Sequence, residues 1–242
     1  MRGWWREITG LVLPVACGGC GRPRTELCEE CAAQLHGGPP RRVRPDPEPA
    51  GLPAVHAAAG YENAVRALLL AHKERGALGL AGALGKALAG AVRAGAGPPS
   101  GGGPLLLVPV PSSRRAVAAR GHDPTRRIAL AAAAELRRAG TPARVAAVLR
   151  QRRPVADQSG LGAGDRLANL AGALQVVAGG ARLLSDGRVV LVDDLLTTGA
   201  SLAEAARAIG RAGGQARTGP GACRAAVVAV SPSAFEINRN WK

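Results

Sequence analysis

Three runs of the sequence are aliphatic from end to end: residues 105–110 (LLLVPV), 189–192 (VVLV) and 225–230 (AAVVAV). A strand with one face in water alternates apolar and polar side chains, so unbroken runs like these belong to strands covered on both faces. Apolar residues at helical spacing fill the intervals, as at Val65, Leu68 and Leu69 and again at Leu80, Leu84 and Leu88. The spacing predicts helices over residues 62–74, 77–93, 125–139 and 201–212, with further strands at 55–61 and 143–149. Strands that alternate with helices predict an α/β fold, a parallel sheet with helices on both faces. Aromatic residues make up only 2% of the chain against 47% hydrophobic, so the core has to be built from Ala, Leu and Val. A chain of 242 residues holds one such domain and a small appendage.

The appendage is N-terminal. Four of the five cysteines fall as Cys17-x2-Cys20 and Cys28-x2-Cys31, with Gly18, Gly19 and Gly21 supplying tight turns. Two such knuckles can set four thiolates tetrahedrally around one Zn2+ at about 2.3 Å each. The same cysteines could instead form two disulfides, but paired CxxC units and a reducing cytosol favour the metal. With every ligand position taken, the ion is structural and holds a segment with almost no core of its own. Cys223, alone beside an apolar run, reads as a small core residue.

Residues 1–35 are therefore expected to form a zinc-binding segment, residues 36–54 a Pro/Gly-rich linker and residues 55–242 the α/β domain. The linker, beginning HGGPPRRVRPDPEP, is too rich in Pro and Gly for a helix or a central strand. Residues 8–16, ending at Cys17, faintly resemble a lipoprotein signal. Against that, Glu7 stands at the edge, the apolar run is short, and Pro14 occupies a position where a small or aliphatic residue belongs. No other stretch approaches the length of a membrane span, and the protein is expected to be cytoplasmic.

Basic residues number 32 against 17 acidic, a net charge of +15, and all but Lys73, Lys86 and Lys242 of the basic ones are Arg. Such a surface attracts polyanions: phosphate-rich metabolites, nucleic acid or an acidic partner. The charges form no single run, so a thin spread over the surface is an equal alternative.

The most informative stretch is VVLVDDLLTTGAS, residues 189–201. An apolar strand runs straight into Asp193 and Asp194, then into a loop of Thr197, Thr198, Gly199, Ala200 and Ser201. In open parallel sheets ligands bind beyond the carboxyl ends of the strands, where these residues fall. Ser201 and Glu204 fit a capping box that starts the next helix. Free N–H groups at that start, the hydroxyls of Thr197, Thr198 and Ser201, and a close backbone approach at Gly199 suit a phosphate monoester. Two carboxylates would repel that phosphate; they suit hydroxyl donors, such as the vicinal 2′ and 3′ hydroxyls of a ribose. A sugar diol carrying a phosphate describes a ribose 5-phosphate.

This stretch resembles the signature of type I phosphoribosyltransferases, which bind phosphoribosyl pyrophosphate (PRPP). In that family the paired acids hold the ribose hydroxyls and the Thr-Thr-Gly loop holds the 5′-phosphate. The resemblance implies PRPP binding by Asp193, Asp194, Thr197, Thr198, Gly199, Ala200 and Ser201, with Asp193 and Asp194 as the catalytic acids. Further motifs narrow it to the ComF group, proteins associated with competence for DNA uptake that couple a four-cysteine zinc segment to this fold. They are the cysteines, GYENAVRALLLAHKERG with Lys73 and Gly76, VPVP at 108–111, ARGHD at 119–123, DQSGLGAGDRLANL with Gln158, Leu161, Arg166 and Asn169, and the ending SPSAFEINRN. The usual RGFNQ of the group is RGHDP here, which exchanges an aromatic and two amides for His122, Asp123 and Pro124.

Residues 112–120 follow the strand 105–110 at the same edge. Arg forks match phosphate oxygens two at a time, which assigns Ser112, Ser113, Arg114 and Arg120 to pyrophosphate; the alternative, for Arg115 above all, is a solvated basic turn. Phosphoribosyl transfer passes through an oxocarbenium-like cation as pyrophosphate leaves. Mg2+ bridging pyrophosphate and ribose oxygens would arrive with the substrate, since only two carboxylates are on offer. Residues 160–164, flanked by Arg152, Arg153 and Arg166, are expected to form a mobile lid. No residue marks the acceptor; Lys73, His72 and His122 are candidate acceptor or pyrophosphate contacts. Three classes of function follow: a phosphoribosyltransferase of unknown acceptor, a ComF-type partner of competence or DNA-processing proteins, and a basic protein in non-specific contact with nucleic acid. The last meets a shortage of stacking surface, because the aromatics are three Trp, one Tyr and one Phe, with Trp4, Trp5 and Trp241 at the termini.

Overall fold

The computed structural model describes residues 15–97, 103–153, 163–213 and 224–232. The expectations for residues 8–14, Trp4, Trp5, Gln158, Leu161, Cys223, Trp241 and residues 233–240 lie outside the described residues. In chain order the elements are α1 (Glu29–His36), β1 (Arg41–Val43), β2 (Ala54–Gly60) and α2 (Asn63–Glu74). A 3-10 turn (Leu78–Leu80) runs into α3 (Ala81–Ala96), followed by β3 (Leu105–Pro109), α4 (Arg114–Arg120), α5 (Pro124–Arg138), β4 (Ala143–Val145) and β5 (Leu149–Gln151). The rest are α6 (Ala163–Leu170), β6 (Leu174–Val176), α7 (Gly180–Ser185), β7 (Arg188–Leu196), α8 (Ala200–Gly213) and β8 (Arg224–Val230).

One six-stranded sheet has the order β1-β2-β8-β7-β3-β4; β1 is antiparallel to β2 and the other pairs are parallel. The central strands are apolar throughout because they feed two cores. Leu105 and Leu107 of β3, Val190 and Val192 of β7, and Ala226 and Val228 of β8 pack with α2, α3 and α5. Their chain neighbours Leu106, Val108, Val189, Leu191, Ala225 and Val227 point the other way, onto Leu184 of α7 and Leu202 and Ile209 of α8. Helices thus cover both faces. An alanine-rich core closes by bringing helices near: a Cβ on Gly85 of α3 would lie 2.8 Å from the Ala132 nitrogen of α5.

Several expected elements are corrected. Residues 143–149 are not one strand: β4 joins β3, whereas β5 pairs antiparallel with β6 in a separate two-stranded sheet. The break comes where the Val148 N–H bonds back to the Ala146 carbonyl at 2.9 Å, a tight turn that Ala-Ala-Val does not signal. The polar stretch 150–170 holds α6, and residues 114–120 are helical, not a loop. The Pro-rich linker contributes β1, at the sheet edge where such a sequence can pair on one side only. Within the expected lid, residues 160–162 lie outside the described residues, and Ala163 and Gly164 open α6. No helix among the described residues is long and apolar enough to cross a membrane.

Candidate functional site

From β3 the chain moves to β4 on one side, and from neighbouring β7 it moves to β8 on the other. Two adjacent parallel strands that hand the chain in opposite directions leave a crevice beyond their carboxyl ends, the ligand position of such sheets. Pairing between β3 and β7 stops at Pro109 opposite Val192, and the Val110 N–H closes it on the Val192 carbonyl at 2.9 Å. Beside β8 the strand continues to Leu196 opposite Val230. Asp193 and Asp194 therefore lie inside β7 and not after its end, as the first two residues past the reach of β3.

The two acids have different surroundings. Asp194 is buried, 7% exposed, and its Oδ2 accepts a hydrogen bond from Lys73 Nζ at 2.8 Å. Burial alone would push its carboxyl up, but the charge and hydrogen bond of Lys73 outweigh burial and hold it below the usual carboxylate range. Asp193, partly buried, accepts the Asp194 N–H on Oδ1 at 2.9 Å, and Thr125 Oγ1 lies 3.5 Å from the same oxygen. Burial first, and then the Asp194 charge, raise its carboxyl well above the ordinary value. The Asp194 charge in turn raises the Lys73 ammonium. One acid is fixed as a carboxylate while its neighbour holds a proton more readily, the usual division between like charges side by side.

Thr197, Thr198 and Gly199 connect β7 to α8. Gly199 has φ +77°, in the left-handed region, and Leu52 and Pro49 of the linker segment pack so closely that a Cβ there would be 3.1–3.2 Å from them. Gly199 and Ala200 are buried, whereas Thr197, Thr198 and Ser201 keep partial access to solvent. The expected capping box does not form. Helix α8 begins at Ala200, so Ser201 is already inside it and Glu204 sits too far along to reach back. The buried Glu204 instead accepts the Leu174 N–H at 2.8 Å and the Arg207 guanidinium at 2.5 and 2.7 Å, fastening β6 to α8.

The four residues assigned to pyrophosphate separate. Ser112 and Ser113 are partly buried before α4, and Ser113 Oγ caps that helix by accepting the Ala116 N–H at 3.1 Å. Arg114 and Arg115 are exposed. Arg120 is clasped side-on by Glu74, at 2.8 Å from Nε and 2.6 Å from Nη2. Helix α2 thus delivers two consecutive residues to the crevice: Lys73 to Asp194 and Glu74 to Arg120. Arg153, expected beside the lid, donates to the carbonyls of Asn169 and Ala171 at the end of α6.

His72 is fully buried and offers no surface to an acceptor; burial lowers its ring from the ordinary value, and Nδ1 faces the Ala77 carbonyl at 3.3 Å. His122 stands edge-on to it, with ring nitrogens 3.1 Å from the Arg120 carbonyl and 3.2 Å from the His72 carbonyl. Asp123 caps α5 by accepting the Arg126 N–H at 3.0 Å, with Pro124 at the first helical position. The residues that depart from RGFNQ thus build a turn and a helix start. Sequence reasoning missed Thr125 and Glu74; Thr125 carries no signal, and Glu74 is marked only by its place next to Lys73.

At the other end of α2, Cys17, Cys20, Cys28 and Cys31 place their four Sγ atoms within 4.8 Å of one another. Tetrahedral zinc with bonds of about 2.3 Å spaces its sulfurs about 3.8 Å apart, so the cluster has the right size. The Cys28 N–H lies 3.4 Å from Cys17 Sγ. Burial works against ionising Cys17, yet backbone N–H groups of Cys20, Cys28 and Gly19 pull its thiol down to about 6, as suits a metal thiolate. The four cysteines could hold a metal ion. Compared with models of protein families and with curated proteins, the chain matches no family model and no curated protein.

Proposed function

We propose that the protein binds PRPP and transfers its phosphoribosyl group to an acceptor, releasing pyrophosphate, in the manner of the type I phosphoribosyltransferases and ComF proteins that its motifs resemble. The observation that carries this reading is one juxtaposition: an acidic pair at the mouth of the crevice between β3 and β7, followed at once by a Thr-Thr-Gly turn and the start of a 14-residue helix. The turn and helix start suit the 5′-phosphate, through N–H groups and the hydroxyls of Thr197, Thr198 and Ser201. Asp193 and Asp194 suit the ribose diol, with Asp194 kept anionic by Lys73 as an acceptor for hydroxyl hydrogens.

In the transfer, the bond from C1′ to pyrophosphate breaks, its electron pair leaves on the pyrophosphate oxygen, and the acceptor forms the new bond to C1′. Positive charge develops on the ribose ring within reach of the acid pair, where the fixed carboxylate of Asp194 stabilises it. Lys73 and Arg120 stand at the same crevice as cations for the leaving group. Mg2+ bound with the substrate would neutralise pyrophosphate charge; one of the two carboxylates is already matched by Lys73, so the protein alone offers no cage for that ion. In the cysteine cluster we take the ion to be Zn2+, for which four thiolates are the usual structural ligand set. Metal analysis of untagged protein should find about one zinc per chain, and none would remove this assignment.

The test is a thermal melt with PRPP and Mg2+ on wild type and on Asp193→Asn/Asp194→Asn. Ligand at 100 times its dissociation constant stabilises by about 2.7 kcal/mol, roughly 5–11 °C for a chain of this size. A shift in wild type that the double variant lacks upholds the site, and pyrophosphate release then identifies acceptors. A wild type that does not shift rejects PRPP binding and leaves the fold as the scaffold of a ComF-type partner protein.

A further inference from the structure

We propose that the four-cysteine knuckle positions Lys73: by clamping helix α2 from behind, the metal-bound segment holds the lysine on Asp194 and Glu74 on Arg120. The inference concerns residues of this chain and stands whether or not the crevice takes PRPP.

Helix α2 has two working surfaces. One, together with Leu80 of the following 3-10 turn, touches the knuckle: a Cβ on Gly18 would meet Leu80 Cδ1 at 2.7 Å, Ala71 Cβ at 3.4 Å and Leu68 Cδ2 at 3.5 Å, and one on Gly19 would meet Ala64 Cβ at 3.2 Å. Ala64 is buried in a cluster with Cys17, Cys28 and Cys31, and its N–H donates to Gln34 Oε1 at 3.3 Å from α1. The other surface is the carboxyl end, where Lys73 and Glu74 make their ion pairs with β7 and α4. The two are linked by a single rigid turn, because Ala71 both faces Gly18 and accepts the Arg75 and Ala77 N–H groups that close the helix.

Helix α1 sends Leu35 into the main core, with Leu27 packed beside it, but the cysteine loop itself has little to hold it besides its metal. Its apolar cluster is three cysteines and Ala64, with Leu27 packed against it, far too small to be stable without an ion. Helix α2 itself stays anchored by Val65, Leu68 and Leu69 in the main core. Loss of the metal should therefore free the last turn of α2 and leave the helix in place.

Amine acylation read by mass spectrometry tests this, since the chain has only three lysines, Lys73, Lys86 and Lys242. Lys86 is exposed and serves as the internal standard. In the zinc-loaded full chain Lys73 should react more slowly than Lys86. Chelation of the zinc should raise the Lys73 rate about threefold to fivefold, as expected from freeing a partly exposed ion pair, with amide exchange increasing at residues 71–77 but not in β3 or β7. Gly18→Val, with zinc content verified, wedges the knuckle from Leu80 and Ala71 without replacing a ligand and should raise the same rate. A Lys73 rate that stays at its zinc-loaded value after chelation overturns the proposal. Should chelation unfold β3 and β7 as well, the zinc-loaded Gly18→Val protein decides, and an unchanged Lys73 rate there overturns it.

Discussion

Asp193 and Asp194 are neighbours in the chain and opposites in their effect on stability. The carboxyl of Asp193 titrates above its unfolded value, so between the two values the folded protein holds a proton there that the unfolded chain has released. Stability from this group is full below the unfolded value near pH 4 and is lost as pH rises through the folded value. Asp193→Asn should therefore raise the melting temperature at pH 7 by about 2–4 °C, or roughly 1 kcal/mol, while removing ligand binding. The gain over wild type should vanish near pH 4; a variant that melts lower than wild type at pH 7 contradicts this. Asp194 has the opposite sign: its depressed carboxyl stabilises above the unfolded value and loses that contribution as pH falls through the folded one. Removing Lys73 strands a buried carboxylate, whereas removing the Asp194 charge leaves a lysine that is 35% exposed and can turn to water. Lys73→Met should cost about 2–3 kcal/mol and Asp194→Asn about 1 kcal/mol, an ordering that urea titrations of the two variants check. The acids and the Thr-Thr-Gly turn were legible because their types are unusual after an aliphatic run. Lys73 was legible only as a candidate, since its partner lies 121 residues away.

At the scale of elements, α8 covers one face of the main sheet through Leu202 and Ile209 and joins it to the separate pair of strands β5 and β6. The antiparallel pair of β5 and β6 is held to α8 by Glu204, which is 5% exposed and uses both oxygens on Leu174 and Arg207. Glu204→Ala leaves the Leu174 N–H without its acceptor and the Arg207 guanidinium with only the Leu174 carbonyl, at 3.1 Å, a loss of about 2–3 kcal/mol. Amide exchange should then rise in residues 149–151 and 174–176 while β3 and β7 stay protected; uniform loss of protection would mean the clasp supports the whole fold. The three central strands and their helices could be read from the sequence because burial on both faces leaves continuous aliphatic runs. The pair β5–β6 could not, because its strands are three residues each, polar on one side and separated by α6, and Ser-x-x-Glu at 201–204 imitates a capping box whose helix starts a residue earlier. The edge strand β1 was hidden in the same way, by prolines that forbid a central position but allow an outer one.

Over the whole molecule the charge sets a second behaviour that has to be separated from the site. With 32 basic residues against 17 acidic, self-repulsion exceeds attraction, so raising salt from 20 to 200 mM should raise the melting temperature by a few degrees, about 1 kcal/mol, as screening shortens to about 7 Å. The same excess is expected to draw nucleic acid. Oligonucleotide binding that neutralises about six phosphates should fall about 10³-fold between 50 and 200 mM salt, with duplex and single strands held alike. The proposed PRPP recognition would rest on groups shielded inside the crevice and should survive 200 mM salt. The double variant Asp193→Asn/Asp194→Asn distinguishes the two behaviours within one experiment, because it removes negative charge. If the crevice is the functional site, the variant loses the PRPP shift and binds DNA as well as wild type or better. If DNA affinity and the PRPP shift fall together, the acid pair supports the folded surface as a whole, and the separation of site from surface is wrong.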